Sequence, residues 1–255
     1  MAEESSAHHR HSIKPHPVLP AYYQEADQRP AFVRDLFNRT APEYNRINKL
    51  FSFNSGAWYR GRVLRKAGLR AGMQVLDVAV GTGLVAGQAV QITGGKDKVI
   101  GLDLSEGMLA EARRALDIPL VQGRMEELPL AGGSVELISM GYALRHVADL
   151  TTAFREFHRV LKPGGTLVLL EIGQPRTAVS RALLRLYLGR ILPLLSRWTT
   201  GKSETQTLMR YYWDTIESCV EAETITDAMR GVGFVNVRCD IEFGLFRAYV
   251  GLRSP

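Results

Sequence analysis

Two aspartates and two glycines are spaced to build one ligand site. Asp77 lies within the apolar run Val75 to Val78, Gly81 and Gly83 follow it, and Asp103 closes the apolar run that begins at Val99. Carboxylates at strand ends beside a glycine turn are costly to bury unless a ligand or backbone N–H groups satisfy them. Glycines at the turn let the backbone approach that ligand closely. Gly81-Thr82-Gly83 followed by Ala86 also satisfies the loose G-x-G-x-x-G/A template of dinucleotide sites, so the turn by itself leaves a nicotinamide or flavin cofactor open.

The carboxylates favour S-adenosyl-L-methionine. That cofactor has no phosphate, so it has less need of a helix N-terminus aimed at an anion, and it needs acceptors for an ammonium and for ribose hydroxyls. Asp77 supplies an acceptor near the amino-acid end. Asp103, twenty residues after Gly83, can take both ribose hydroxyls.

The elements that must position these residues follow from the apolar patterning. A chain of 255 residues, 45% hydrophobic, can bury one core, and a single α/β domain with added helices fits it best. Ala31 to Leu50 reads as two short helices broken at Thr40-Ala41-Pro42, and a third helix is expected around Ala57 to Ala67. Apolar strands (MQVLDVA, KVIGLDL, IPLVQ, VELISM, TLVLLEI) then alternate with helices, which implies a parallel sheet covered on both faces. NVRCDIEF and FRAYVGLR are separated only by Gly244-Leu245, too close for a crossover helix, and must pair as an antiparallel hairpin. The expected fold is therefore α/β and Rossmann-like, mostly parallel with an antiparallel C-terminal hairpin, as in class I methyltransferases. Residues 29–70 are expected to form a helical cap and about 176–220 a helical lid insert, within a longer helical stretch from Arg176 to Arg230 that is the candidate substrate lid.

The net charge of +6 is spread over dispersed arginines and reads as a solvated basic surface rather than a nucleic-acid site. Two cysteines, Cys219 and Cys239, without C-x-x-C spacing or a secretory leader, point to a reducing cytoplasmic compartment. No zinc-type site is encoded. Residues 1–28, which include His8, His9, His11 and His16, are expected to be a disordered tail. The segment VSRALLRLYLGRILPLLSRW is too charged to span a bilayer. Packing on the core or in a homodimer is favoured for it, with peripheral contact at the inner membrane as the alternative.

Taken together, D-V-A-V-G-T-G, G-L-D-L-S-E-G-M-L-A-E-A-R, E-L-P-L, L-R-H-V and F-H-R-V-L-K-P-G-G-T-L-V-L-L-E resemble the ubiquinone/menaquinone-biosynthesis C-methyltransferase family. The likeness extends upstream to L-F-N-R-T-A-P-E-Y-N-R-I-N and covers Phe32 to Arg253. The resemblance implies that Asp77, Gly81 and Gly83 form the first cofactor motif and that Asp103 is the ribose ligand. It also implies that Tyr44 lies beside the cofactor and that Arg145 is the active-site arginine. Arg124 stands where the family usually has Asn or Asp near the adenine, leaving the backbone N–H of Met125 to meet the ring. Asn45 and His146 replace the family's usual Asp and Asn.

The implied acceptor is a small aromatic, most simply a quinol or phenol methylated on a ring carbon. Methyl transfer is an in-line displacement, so positioning supplies much of the catalysis, and ring-carbon attack needs the neighbouring hydroxyl ionised. Arg145 can stabilise a phenolate. His146, with an ordinary pKa in the neutral range, is a candidate base. The bland alternatives are a structural histidine at a strand end and an ion pair of Arg145 with Asp149 or another carboxylate. Tyr211, Tyr212 and Trp213 either line a pocket or pack the lid. Ser139-Met140-Gly141-Tyr142 lacks the Asn/Asp-Pro-Pro-aromatic element of base methylation, which argues against an RNA substrate. A specialised-metabolite O-, N- or C-methyltransferase, an NAD-binding oxidoreductase and a catalytically silent scaffold are the competing readings.

Overall fold

The computed structural model describes residues 12–52, 56–175, 177–186 and 203–255. Seven strands form one sheet in the order β3-β2-β1-β4-β5-β7-β6. These are β1 (Val75–Val78), β2 (Val99–Asp103), β3 (Leu120–Gln122), β4 (Val135–Gly141), β5 (Leu161–Ile172), β6 (Phe234–Glu242) and β7 (Phe246–Arg253). β1 to β5 run parallel, and β7 enters antiparallel between β5 and β6. All four residues of β1 are buried, as expected for a central strand with helices on both faces.

Helices α2 (Gly56–Lys66), α3 (Leu84–Thr93) and α4 (Glu106–Ala115) follow the predicted alternation. So does α5 (Leu150–Val160), whose Leu150, Ala153, Phe154, Phe157 and Val160 are buried at helical spacing. α5 starts where Asp149 accepts the Thr152 N–H at 2.8 Å, an N-cap that satisfies one of its free donors. It gives way to β5, whose Pro163-Gly164 segment cannot extend a helix. One apolar core lies on the α5 face of the sheet and a second on the α2–α3 face.

Three expectations need correcting. Arg29–Ser52 is one helix, α1, that runs through Pro42. Pro42 is exposed while Thr40 and Ala41 are buried, so packing on one face outweighs the hydrogen bond that proline forfeits. Secondly, residues 12–28 are packed rather than a loose tail. The Ile13 carbonyl accepts from Leu150 N–H and the Pro15 carbonyl from Val220 N–H, Tyr22 donates to Asp214 at 2.6 Å, and Tyr23 is buried. Composition drew attention to the histidines and prolines, but the aromatic pair fixes the segment. Thirdly, the stretch after β5 is not lid throughout. α6 (Ala178–Leu186) and α7 (Ser203–Ser218) are added helices, whereas α8 (Ala222–Gly231) packs on β6 and α5 as part of the sheet's cover. His8, His9, His11, Arg190 and Pro193 lie outside the described residues.

Leu208, Tyr211, Tyr212, Trp213 and Ile216 of α7 form a third core with Leu36 of α1 and Tyr23. This cap covers the carboxyl ends of the parallel strands, where open α/β sheets bind ligands.

Candidate active site

At that edge the chain turns sharply after β1. Ala79 and Gly81 adopt positive φ values of 52° and 56°, and Tyr142, just past β4, adopts 61°. Two non-glycine residues in the left-handed region on adjoining strands mark stored backbone strain, which concentrates at ligand sites. Gly83, at φ 87°, faces inward: a Cβ there would lie 2.5 Å from Leu116 Cδ1. Gly81 faces open space, with no protein atom closer than 4.0 Å to a Cβ. Asp103 ties the two strand ends together, accepting the Gly81 N–H on Oδ2 and the Ser105 N–H on Oδ1, each at 2.8 Å. Burial pushes its carboxyl up to about 6, and those two donors only partly offset the shift.

The cleft here encloses about 760 Å³ including its open mouth. Gly81, Asp103, Leu104, Met108 and Met125 line it together with Pro30, Val33, Phe37 and Tyr44 of α1 and with His146. Five of the predicted site residues thus share one cavity: Tyr44, Gly81, Asp103, Met125 and His146. Arg124 reaches the rim and leans toward Glu126 at 3.7 Å. The chemistry fits S-adenosylmethionine: an acidic group at the end of β2, apolar walls beside it, and a bare backbone at Gly81.

Gly83, Asp77 and Arg145 are not among the cleft's lining residues. Asp77 is buried under the turn, with Oδ1 accepting from Ser139 Oγ at 2.6 Å and Oδ2 unpartnered. Burial pushes its carboxyl up to about 7. Arg145 is buried behind the wall, where its guanidinium pairs with Glu171, donates to Thr215 Oγ1 at 3.2 Å and sits 4.8 Å from the centre of the Tyr212 ring. The Tyr212 hydroxyl meets that of Tyr44 at 2.8 Å, so Arg145 reaches the cleft through two phenols.

His146 also differs from expectation. Burial, reinforced by Arg145, holds its imidazole well below the usual range rather than poised near neutrality. The ring stacks on Tyr211 with centroids 5.4 Å apart and meets Phe37 edge-on at 5.4 Å, and neither nitrogen has a hydrogen-bond partner. Tyr211, Tyr212 and Trp213 are buried in the cap, and none lines the cleft.

Residues 23–252 match the model of the ubiE/COQ5 methyltransferase family. The chain belongs to that family. It is 32% identical over 213 residues to a demethylmenaquinone methyltransferase of Lactococcus lactis, covering 80% of this chain and 82% of that protein. It is 31% identical over 220 residues to a ubiquinone/menaquinone biosynthesis C-methyltransferase UbiE of Shewanella woodyi, covering 84% and 86%. Among solved structures, a SAM-dependent methyltransferase of Thermotoga maritima superposes with a TM-score of 0.61 at 19% identity, over 87% of this chain and 99% of that one. A phosphoethanolamine N-methyltransferase 2 of Haemonchus contortus, in complex with S-adenosylhomocysteine, also gives 0.61, at 16% identity over 87% and 60%. These two likenesses establish the class I methyltransferase fold.

As a ubiE/COQ5 methyltransferase the chain holds site residues that sequence reasoning missed. Thr82 donates to Asn45 at 2.7 Å, clamping α1 to the glycine turn. Phe37 is a wall of the cleft. Glu171, the carboxylate that fixes Arg145, stands at the end of the apolar run Leu167-Val-Leu-Leu-Glu171, where a lone acid signals a buried partner.

Proposed function

We propose that this methyltransferase transfers the methyl group of S-adenosylmethionine to a ring carbon of a quinol or related phenol. The observation that carries the reading is the shared cavity: the cofactor-type residues Gly81 and Asp103 face the same space as an aromatic wall containing a neutral, unengaged histidine. The names of the relatives support a quinone-type acceptor. When bound, S-adenosylmethionine supplies an electrophilic methyl carbon.

The chain's own residues do the rest. Phe37, Val33 and Pro30 present apolar surface to the ring of the acceptor and exclude water, strengthening every charge interaction inside. Tyr44, backed by Tyr212 and the positive charge of Arg145, donates toward the acceptor's oxygen and stabilises negative charge as it develops there. Arg145 is therefore a positioning and electrostatic residue rather than a contact. His146, unprotonated, accepts the hydrogen bond of the acceptor's hydroxyl and takes its proton as the ring becomes nucleophilic, and the proton on the methylated ring carbon then leaves as the ring regains its aromaticity. The Arg124 guanidinium cannot accept from an adenine amine, which leaves the Met125 backbone to meet the ring.

Incubating the full chain with methyl-labelled S-adenosylmethionine and matched oxidised and reduced prenylated quinones tests the reading. Label should enter the reduced quinol and not the oxidised quinone, which has no hydroxyl to ionise. Equal labelling of both forms, or labelling of amines alone, would overturn it.

A further inference from the structure

A second buried imidazole, that of His16, lies on the packed segment ahead of α1. It is 1% exposed, and its Nδ1 meets the Pro17 carbonyl at 2.7 Å. A carbonyl only accepts, so the ring carries its proton on Nδ1 and keeps a bare lone pair on Nε2. That Nε2 has no hydrogen-bond partner. Arg29 seats His16 beside the turn Leu144–His146: its guanidinium donates to the His16 carbonyl at 3.0 Å and to the Val147 carbonyl at 3.1 Å. The Arg145 carbonyl approaches the same imidazole, and His16 and His146 lie within electrostatic range of each other.

A buried nitrogen left without a partner calls for an explanation. His146 supplies one. As the base in the function proposed above, it must hold one nitrogen bare toward the acceptor, so its other nitrogen carries N–H and needs an acceptor of its own. Few groups there can serve. Arg29 and Arg145 side chains only donate, and the Tyr212 hydroxyl is engaged with Tyr44. Tyr211 meets the imidazole with its ring face and turns its hydroxyl to Tyr23. Asp103 and Glu126 hold backbone N–H groups. Among the described residues, that leaves His16 Nε2. No direct bond joins the two rings. A single water that accepts from His146 and donates to His16 Nε2 and to the Arg145 carbonyl makes the roughly three hydrogen bonds usual for a buried water. His16 also suits the role by staying uncharged, since burial and Arg29 hold its imidazole down to about 4.

We propose that His16 is a positioning residue for the base: through one bridging water its Nε2 accepts the N–H of His146, fixing that ring's tautomer and holding the opposite nitrogen bare toward the acceptor. This rests on His146 being the base. When the hydroxyl proton moves to the cleft-facing nitrogen, the cation so formed donates more strongly along the same bridge, and His16 itself neither gains nor loses a proton. His16 does not line the cleft, so it reaches the acceptor only through His146. It also lies outside the residues 23–252 that match the family, which makes the pair a feature of this chain.

Two measurements on the full chain test this. Ring-nitrogen magnetic resonance with isotope-labelled histidine should show His146 of the ligand-free wild type as a single neutral tautomer near neutral pH, and as both tautomers in His16→Phe. With methyl-labelled S-adenosylmethionine and a reduced prenylated quinone, His16→Phe should lower kcat about 10- to 100-fold at an unchanged KM for S-adenosylmethionine. His16→Gln, whose side-chain carbonyl accepts, should recover most of that loss. In a His146→Asn background, His16→Phe should cost nothing further, because it acts through that ring. A full separate loss in the double variant, or wild-type kcat in His16→Phe, would overturn the proposal while leaving His146 as the base. A wild-type His146 ring that populates both tautomers would overturn it even if His16→Phe does not fold. Wild-type kcat in His146→Asn removes the base and the proposal together.

Discussion

Asp103 carries its charge against a burial cost that two backbone donors only partly relieve, and its readiness for a ligand therefore depends on pH. Ribose hydroxyls donate to the ionised form. Affinity for S-adenosylhomocysteine should rise as pH increases through about 6, with a further rise from Asp77 near 7, and should level off above that. Asp103→Asn should weaken binding by about 1.5–3 kcal/mol at pH 8 and abolish only the lower of the two steps. Calorimetry across that range checks both, and an unchanged affinity in the folded variant would remove Asp103 from the site. His146 makes the opposite case. Its imidazole is neutral throughout the working range because burial and Arg145 disfavour the cation. His146→Asn should then lower kcat by about 100-fold and leave cofactor affinity alone, with a pH–rate profile between pH 6.5 and 8.5 of the same shape as wild type. Wild-type turnover would reduce this histidine to a packing group against Tyr211.

The turn between β1 and α3 divides its glycines by purpose. Gly83 is structural, because a Cβ would strike Leu116 and the residue sits at φ 87°; Gly83→Ala should cost about 1–3 kcal/mol of stability. Gly81 faces the cleft, so Gly81→Ala should cost less stability but weaken S-adenosylhomocysteine binding at least tenfold by intruding on the ligand. Chemical denaturation and calorimetry on the same two variants separate the roles, and equal effects on both readouts would contradict them. Much of this element was legible in the sequence, since a strand, a glycine turn and a second strand ending in Asp103 have few alternative arrangements. Other features were hidden. Nothing in the run Arg60-Gly-Arg62-Val-Leu-Arg65-Lys66 says which cation turns inward, because the helix phase is set by the α2–α3 approach at Gly61, where a Cβ would meet Gln88 Oε1 at 2.7 Å. Pro42 misled in the same way. Proline is a local signal for a break, and it was overridden by packing of α1 against α4 and α7.

At the scale of the molecule, the cap, the sheet edge and the packed segment 12–28 bury opposite titrations against each other. His16, lowered to about 4, and His146, held well below its ordinary value by burial and Arg145, favour folding above the unfolded value of 6.5 and lose that contribution as pH falls below it. Asp77 and Asp103, raised from 3.8 to about 7 and about 6, favour folding below 3.8 and lose that contribution as pH rises through their folded values. Between about pH 5 and 6 the two carboxyl protons of the native chain offset the protons that the unfolded chain carries on His16 and His146, and His158, whose imidazole is also lowered by burial, is left to tilt stability upward with pH. The ligand-free protein should show only a shallow rise in Tm with pH across that window, whereas the increment in Tm given by saturating S-adenosylhomocysteine should shrink as pH falls. Differential scanning calorimetry checks this, and a steep ligand-free slope would contradict it. The central claim concerns where the methyl group goes. Nuclear magnetic resonance of the quinol product formed with carbon-13 methyl-labelled S-adenosylmethionine reads it directly: the account predicts one labelled methyl bonded to a ring carbon, with that carbon's own proton lost, and a labelled methyl on oxygen would contradict it.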